Sequence, residues 1–163
     1  MVTMQIQGEE ALLRHLGLLS QFIKTFKPAL ENIADQIHNE EKQVFSSGGS
    51  FDGRKAWVKL SDKYAARKNK IAPGKPILRL TDKLYKQATG KDGIYEVSDT
   101  KMETGVNLPY ARVHQYGYSE KNIPARPYLT IGKTQQGKWN AIMNKYIYDQ
   151  SRKSGFSVVR VGV

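Results

Sequence analysis

Two N-terminal segments repeat apolar residues at the spacing of an amphipathic helix. The apolar positions are Leu12, Leu13, Leu16 and Leu19 in residues 9–19, and Leu30, Ile33, Ala34, Ile37, Val44 and Phe45 in residues 28–45. Residues three and four apart share one face of a helix, so each segment is predicted to be a helix with one buried face. Pro28 suits the first turn of the second helix, where no N–H is needed. A break between the helices is predicted within residues 17–27.

The middle of the chain combines short helical segments with two polar loops. Residues 46–53 are rich in glycine and serine and are predicted to be flexible. Residues 68–76 hold three lysines, one glycine and two prolines, which predicts a basic loop too polar to pack. Between these loops, Trp57 and Leu60 form an apolar anchor before a predicted helix over 62–68. A second short helix is predicted over 82–88.

The remaining elements predict a small sheet. Residues 93–99 and 101–108 alternate apolar and polar positions around a turn at 98–100, which is typical of an antiparallel hairpin with one buried face. A short helix from Pro109 to Tyr116, a third strand over 126–132, a helix over 134–149 and a last strand over 156–161 follow. The pattern predicts a single α+β domain over 1–163, with a small, mainly antiparallel sheet packed against N-terminal and C-terminal helices.

Positive charge is concentrated in the second quarter of the chain. The formal net charge is +11, and it divides into −2 for residues 1–51, +9 for residues 52–91 and +4 for residues 92–163. The basic surface candidates are Arg54, Lys55, Lys59, Lys63, Arg67, Lys68, Lys70 and Lys75. This block is either a solvated face or a contact surface. Together with Trp57, Tyr64 and Tyr85 it leaves open an alternative function as a nucleic-acid-binding module.

Residue types that carry enzyme chemistry are sparse and scattered. Cysteine is absent, which excludes disulfides, and His15, His38 and His114 do not fall into a metal-binding spacing. Nucleophile and phosphate-loop motifs are missing as well. We therefore expect no catalytic residues, no metal and no cofactor. No signal peptide or membrane-spanning segment is predicted, so a cytoplasmic site of synthesis is expected.

One stretch of about twenty residues stands out by composition, and we call residues 108–129 the signature segment. Its conspicuous members are Tyr110, Arg112, His114, Gln115, Tyr116, Gly117, Pro124, Arg126, Pro127 and Tyr128. Tyrosine and arginine together are typical of interface hot spots. A structural role is the alternative: Tyr110, Val113 and Leu129 would then point into the core. For Arg126, burial against carbonyls or His114 and a partner contact are weighed equally, whereas for His114 a structural hydrogen bond is favoured.

The signature segment resembles the phage virion morphogenesis proteins of the tail-completion and neck group. That family has Tyr-Ala-x-x-His-Gln-x-Gly before Ile-Pro-Ala-Arg-Pro-aromatic-Leu, as here in residues 110–117 and 123–129. Phe45-x-x-Gly48-Gly49, Trp57-x-x-Leu60-Ser61 and Ile77-Leu78-x-x-Thr81-x-x-Leu84 keep the family order, so the resemblance covers about 28–148. Asp82 stands where the family has glycine, which suggests that a helix start replaces the turn. Residues 150–163 are a C-terminal extension without a match.

The resemblance implies a non-enzymatic structural protein of phage or prophage virion assembly. It would act at the head–tail junction or at the head-proximal end of the tail, made in the host cytoplasm and retained in the virion. Its partners would be other phage tail, connector or portal-side proteins, and its copies would form a homo-oligomeric ring. Loops 46–53 and 68–76 would order on docking, and the basic block could line a lumen and contact DNA nonspecifically.

Overall fold

The computed structural model describes residues 9–129 and 131–153. Its elements in chain order are α1 (Glu9–Phe22), α2 (Lys27–Ser46), α3 (Asp62–Ile71), α4 (Lys83–Thr89), β1 (Ile94–Val97), β2 (Met102–Gly105), α5 (Ala111–Tyr116), a 3-10 helix (Ser119–Lys121) and α6 (Lys133–Lys153). The described part therefore holds six α-helices and one two-stranded antiparallel sheet. The α+β prediction is confirmed.

Helix α2 is the central element of the fold. It begins at Lys27-Pro28, where a proline is tolerated, and its buried face contacts α4, α6 and both strands. Two polar pairs fix these neighbours: His38 Nε2 lies 2.9 Å from Thr104 Oγ1 on β2, and Lys138 Nζ on α6 donates to Glu40 Oε1 at 2.7 Å. The helix thus connects the hairpin and the C-terminal helix through its own buried side chains.

The hydrophobic core is centred on the ring of Phe45. Its centroid lies 5.5 Å from that of Trp57 and 5.3 Å from that of Tyr85, both edge to face, and 6.0 Å from that of Tyr128. Such tilted and edge-on contacts add to the free energy gained by burying the rings. The indole Nε1 of Trp57 donates to the carbonyl of Pro127 at 2.9 Å. The core therefore joins α2 directly to the signature segment.

The loop predicted to be flexible, residues 46–53, contains a turn packed against Trp57. The Trp57 amide donates to the Gly48 carbonyl at 2.7 Å, and the Gly49 amide donates to the Val44 carbonyl at 2.8 Å. Gly49 has φ +92°, and a Cβ there would lie 2.4 Å from Trp57 Cδ1. Glycine is required at this position because both the backbone angle and the contact exclude a side chain.

Helices α1 and α3 begin where they were predicted to begin but end later than predicted. Helix α1 continues through Gly17 to Phe22, so the break is confined to residues 23–26. Helix α3 extends to Ile71 and takes in the first four residues of the predicted basic loop 68–76. Lys68, predicted to be a surface residue in a loop, is instead buried on the inner side of α3.

The predicted hairpin is confirmed, with shorter strands. Ile94 pairs with Gly105 and Val97 with Met102 in the antiparallel register. Its turn is anchored to the α1–α2 connection, because Thr25 Oγ1 donates to Asp99 Oδ1 at 2.6 Å.

The third predicted strand, 126–132, is wrong, since none of its described residues lies in a strand. Pro127 has no N–H, and the amides of Tyr128 and Leu129 donate to the side chain of Gln115 instead of to a strand. Within the predicted extension 150–163, helix α6 continues to Lys153. The strand predicted over 156–161 lies outside the described residues.

Asp82 occupies a left-handed backbone position at the start of α4. Its φ is +58° and its ψ is 2°, values that glycine adopts freely and aspartate tolerates. Its carboxylate accepts from Arg79 Nε at 2.7 Å and from Lys75 Nζ, and these hydrogen bonds lower the pKa of Asp82 to about 2. A glycine at this position, as in the family that the sequence resembles, would adopt the same backbone without strain. A helix does begin directly after it, as predicted.

We expect Asp82→Ala to be less stable than Asp82→Gly by about 1 kcal/mol, because only glycine avoids the left-handed penalty. Asp82→Asn tolerates the left-handed backbone conformation but removes the charge.

The stability that the ion pairs of Asp82 contribute is present above the ordinary aspartate pKa of 3.8 and is lost as pH falls through about 2. The Asp82→Asn variant has no such contribution to lose, so its stability should change less than that of the native chain over this range. Urea unfolding at several acidic pH values measures both effects; equal stability of the alanine and glycine variants would contradict the assignment.

Candidate functional site

The signature segment folds back on itself through Gly117. Helix α5 ends there with φ +80°, and a Cβ on Gly117 would lie 2.9 Å from the Ala125 amide nitrogen and 3.0 Å from the Ile123 carbonyl oxygen. Tyr118 and Ile123 exchange backbone hydrogen bonds of 2.8 and 3.0 Å, closing the loop between them. The segment after the loop therefore lies beside α5.

The side chain of Gln115 holds this segment in place. Its Oε1 accepts from the amides of Tyr128 and Leu129 at 3.0 and 3.1 Å, and its Nε2 donates to the Leu129 carbonyl at 2.6 Å. One amide side chain thus satisfies three backbone groups that a neighbouring strand would otherwise pair. Gln115 and Gly117 thus both shape the turn of the signature segment.

Arg126 is an internal residue. It is only 5% exposed, and its guanidinium donates to the carbonyls of Val58 at 2.9 Å and Lys59 at 3.2 Å. Burial lowers the pKa of Arg126. Of the two predicted alternatives, burial against backbone carbonyls is the one observed.

The structural hydrogen bond that His114 makes in the described part of the chain is through its backbone, whose carbonyl accepts from the Arg126 amide at 2.7 Å. Its Nδ1 is buried without a hydrogen-bond partner among the described residues, and its ring meets Tyr110 edge to face with centroids 5.8 Å apart. Burial, assisted by the charge of Arg126, lowers the pKa of His114. Both effects favour the neutral imidazole, and its Nδ1 is enclosed by the protein.

Several signature residues face solvent. Tyr116 is 74% exposed and Tyr110 is 40% exposed, so the prediction that Tyr110 points into the core is wrong. Arg112 and Pro127 are exposed as well, and Pro124 is half-buried. The segment thus combines an inner scaffold with an outer aromatic surface.

A groove runs along the inner edge of the signature segment, and we call it the cationic groove. Its volume is about 830 Å³, and its walls come from the chain after Trp57, from α3, from residues 78–84 and from residues 110–126. The apolar lining is formed by Val58, Leu60, Tyr64, Leu78, Leu80, Leu84, Tyr110, Ile123 and Pro124. A concave surface of this size, lined mainly by apolar side chains with a few polar groups, is typical of a binding site.

The charged side chains that line this groove are all cationic. They are Lys59, Lys68, Lys121 and Arg126, and His114 lies among them. Lys68 is 6% exposed and donates to the Lys75 carbonyl, and Arg126 donates only to carbonyls. Within residues 9–129 and 131–153, no carboxylate forms a salt bridge with either. Two buried cations without a counter-ion are costly, which favours an anionic ligand.

Leu78 at the groove wall adopts a left-handed backbone with φ +62°. A branched residue rarely takes this conformation, and its cost is met where surrounding packing fixes the chain. Leu78 packs against the core cluster, which supplies that packing.

The basic surface candidates are divided by the fold. Lys63, Arg67 and Lys70 fall at helical spacing on the outer face of α3 and are exposed, as are Lys55 and Lys59. Lys75 pairs with Asp82, Lys68 is buried, and Arg54 has one buried guanidinium nitrogen without a partner in the described part of the chain. The helical spacing of Lys63, Arg67 and Lys70 could have indicated that Lys68 is buried, because Lys68 lies on the opposite side of α3.

A second, smaller cavity of about 120 Å³ lies between α2 and α6. It contains Glu41, which is 7% exposed, beside Glu40 and Trp139. Burial, reinforced by the neighbouring Glu40 carboxylate, raises the pKa of Glu41 to about 9. Glu41 is therefore protonated in the folded protein at neutral pH, whereas the unfolded chain would ionise it.

We expect Glu41→Gln to stabilise the protein increasingly as pH rises. A raised carboxyl pKa means that stability is greatest below the unfolded value of 4.5 and falls as pH rises to about 9, because the unfolded chain releases the proton. The limiting slope is about 1.4 kcal/mol per pH unit. Denaturant unfolding across this range measures it, with Glu31→Gln on the exposed face of α2 as control. Parallel profiles for the native chain and Glu41→Gln would contradict the raised pKa.

Neither a membrane helix nor a metal cluster is found in the described ranges. No helix there is long and apolar enough to cross a bilayer. No group of three histidine or acidic side chains in residues 9–129 and 131–153 could hold a metal ion.

Comparison with known proteins decides the family. The model of the phage virion morphogenesis family matches residues 8–147, from before α1 to the last turns of α6. The chain belongs to the phage virion morphogenesis family. Its match to this family begins ahead of the predicted start at residue 28, so α1 is part of the shared unit. No solved structure matches the chain.

A similar protein from a prophage supports the assignment to the morphogenesis family. The chain is 29% identical over 136 residues to the Mu-like prophage FluMu G protein 2 of Haemophilus influenzae, which covers 80% of this chain and 85% of the relative. In this member of the morphogenesis family, the most conspicuous sequence residues are largely scaffold. The groove that they frame, with Leu60, Leu78 and Leu80, was not predicted from the sequence.

Proposed function

We propose that this protein is a non-enzymatic structural component that completes the phage tail at the head–tail junction or the head-proximal tail end. It is made in the cytoplasm of the bacterial host and remains in the virion. Its partners are connector, portal-side or tail proteins, and its copies close into a homo-oligomeric ring. Its mechanism is ordered assembly through complementary surfaces rather than catalysis.

The observation that carries this proposal is the family match over residues 8–147. The side chains of the signature segment add support, because Gln115, Arg126 and Tyr128 are engaged in internal contacts. The exposed Tyr116 and the cationic groove supply surfaces of the kind that recognise proteins.

Deletion of the gene from the parent phage or inducible prophage tests the proposal. We expect free heads and free tails to accumulate and infectious, joined particles to be lost, as counted by electron microscopy and plating. Expression of the native chain from a plasmid should restore them. A normal yield of joined, infectious particles without the protein would overturn the proposal.

A nonspecific contact with DNA is a second candidate function, favoured by the exposed stripe Lys63, Arg67 and Lys70 on α3. In a ring, this stripe could face DNA passing through the lumen. Phosphate contacts release counter-ions, so binding would weaken steeply with salt.

A duplex DNA titration at several salt concentrations tests this contact. Replacing all three residues by glutamine should lower the salt slope of log K by about 2 to 3, from about 0.9 per lost phosphate contact. The charge-matched control replaces the exposed Lys133, Arg152 and Lys153 of α6 and should keep the slope. Absence of binding at low salt, or an equal effect of both triple variants, would contradict the contact.

A further inference from the structure

The cationic groove has the chemistry of an acceptor for a carboxylate on an apolar segment. Its floor holds the buried cations Lys68 and Arg126, which only backbone carbonyls engage. His114 Nδ1 is buried there without a partner in the described part of the chain. Leucines and tyrosines form most of its walls. An occupant therefore needs apolar side chains together with at least one acidic group.

Such a surface exists elsewhere on the same molecule, on the outer face of α1. Leu13 is 60% exposed and Leu16 is 52% exposed, although apolar side chains on a helix are normally covered. Exposed Glu10 precedes them and lies 3.8 Å from the guanidinium of exposed Arg14, a surface pair that solvent screens, and exposed Gly17 and Ser20 follow at helical spacing. The face thus begins with a carboxylate, continues with leucines and ends with small residues that allow close approach.

The charges of the two regions also differ in sign. Helix α1 carries Glu9 and Glu10 against Arg14, a net −1, whereas residues 52–91, which form much of the groove wall, carry +9. Unlike charges on the two regions favour a contact in which α1 of one copy meets the groove of another over a contact between two copies of the same region.

We propose that the outer face of α1, through Glu10, Leu13 and Leu16, docks into the cationic groove of a second copy of this chain. The proposal rests on the self-association that the proposed function includes. The contact has a distinct donor and acceptor on each subunit, so successive copies add in one direction and close into a ring when the rotation allows. Docking covers the exposed leucines and brings a carboxylate to the buried cations.

Site-specific photo-crosslinking in assembled particles tests this contact. A photoreactive phenylalanine derivative replaces Leu16 in the chain that complements the deleted phage, and a second variant carries it at Leu18. Leu18 is 44% exposed but lies on another face of α1, which makes it a matched control. Illumination of the variant with the photoreactive residue at position 16 should give covalent multimers of this chain. Mass spectrometry should map the cross-link to residues 58–64 or 121–126. The Leu18 variant should give none there.

Joining efficiency gives a second, independent readout. Leu16→Lys should abolish complementation, because it places a cation against a cationic groove, whereas Leu18→Lys should keep it, with circular dichroism confirming that both fold. Cross-links from position 16 to another protein or another surface, or full complementation by Leu16→Lys, would overturn the proposed contact. Such results leave the proposed function standing as long as the native chain restores joined particles, whereas failure of that restoration counts against the function itself.

Discussion

Replacing Trp57 by alanine is expected to lower the free energy of unfolding by about 3 to 5 kcal/mol. The indole is 7% exposed, meets Phe45 edge to face and covers Gly49. Its removal opens a cavity at the centre of the core and leaves the Pro127 carbonyl without the indole donor. Because Trp57 joins α2 to the signature segment, both parts should loosen together. Urea unfolding followed by far-UV circular dichroism measures the loss.

Trp57→Phe separates packing from hydrogen bonding. It keeps an aromatic ring against Phe45 but removes the donor, so we expect a smaller loss, of about 1 to 2 kcal/mol. Tyr148→Ala, which truncates a 39% exposed aromatic residue on α6, serves as the surface control. A loss at Trp57→Ala no larger than that of the control would refute the central role of the indole.

Gln115→Ala is expected to cost about 2 to 4 kcal/mol, because three backbone groups lose their partner at once. These groups are the amides of Tyr128 and Leu129 and the carbonyl of Leu129. Buried or half-buried amides without a partner retain the full desolvation penalty. Hydrogen exchange should therefore accelerate at residues 128 and 129 beyond the change in global stability, and urea unfolding gives the total.

Gln115→Glu provides an isosteric comparison with a pH signature. A carboxylate can still accept from the two amides but cannot donate to the Leu129 carbonyl, so the variant should be intermediate at neutral pH and should recover as the carboxyl is protonated. Gln136→Ala, on the exposed face of α6, should change stability by less than about 0.5 kcal/mol. Equal losses for Gln115→Ala and Gln136→Ala would show that the three hydrogen bonds contribute little.

Helices and the hairpin were predictable where one periodicity runs through a whole element. Apolar spacing located α2 within a residue at each end, and alternation located the hairpin of β1 and β2. Boundaries failed where local composition misled: Gly17 lies inside α1, and the lysines of 68–71 belong to α3. The helical spacing of Lys63, Arg67 and Lys70 indicates the extent of α3 better than the polarity of residues 68–71 does.

The signature segment shows why a correct motif can give a wrong local structure. Residues 126–132 were predicted to form a strand, but a strand needs a partner backbone, and here the Gln115 side chain pairs with the amides of Tyr128 and Leu129 instead. Nothing in the sequence indicates that the side chain of Gln115, near the end of α5, will bind the backbone of a residue thirteen positions later. The same holds for Arg126, whose two carbonyl acceptors lie 67 and 68 residues away.

By itself, the sequence determined the α+β class, the family, the helix that begins after Asp82 and the concentration of charge in the second quarter. These properties follow from periodicity, motif order and composition, which depend only on neighbouring residues or on a sum over residues. Only the tertiary structure decided that the signature residues are mainly scaffold, that Glu41 is protonated and that Lys68, Arg126 and His114 share one groove. Burial and long-range contacts set these properties, because the cost of a buried charge depends on which distant groups the fold brings beside it.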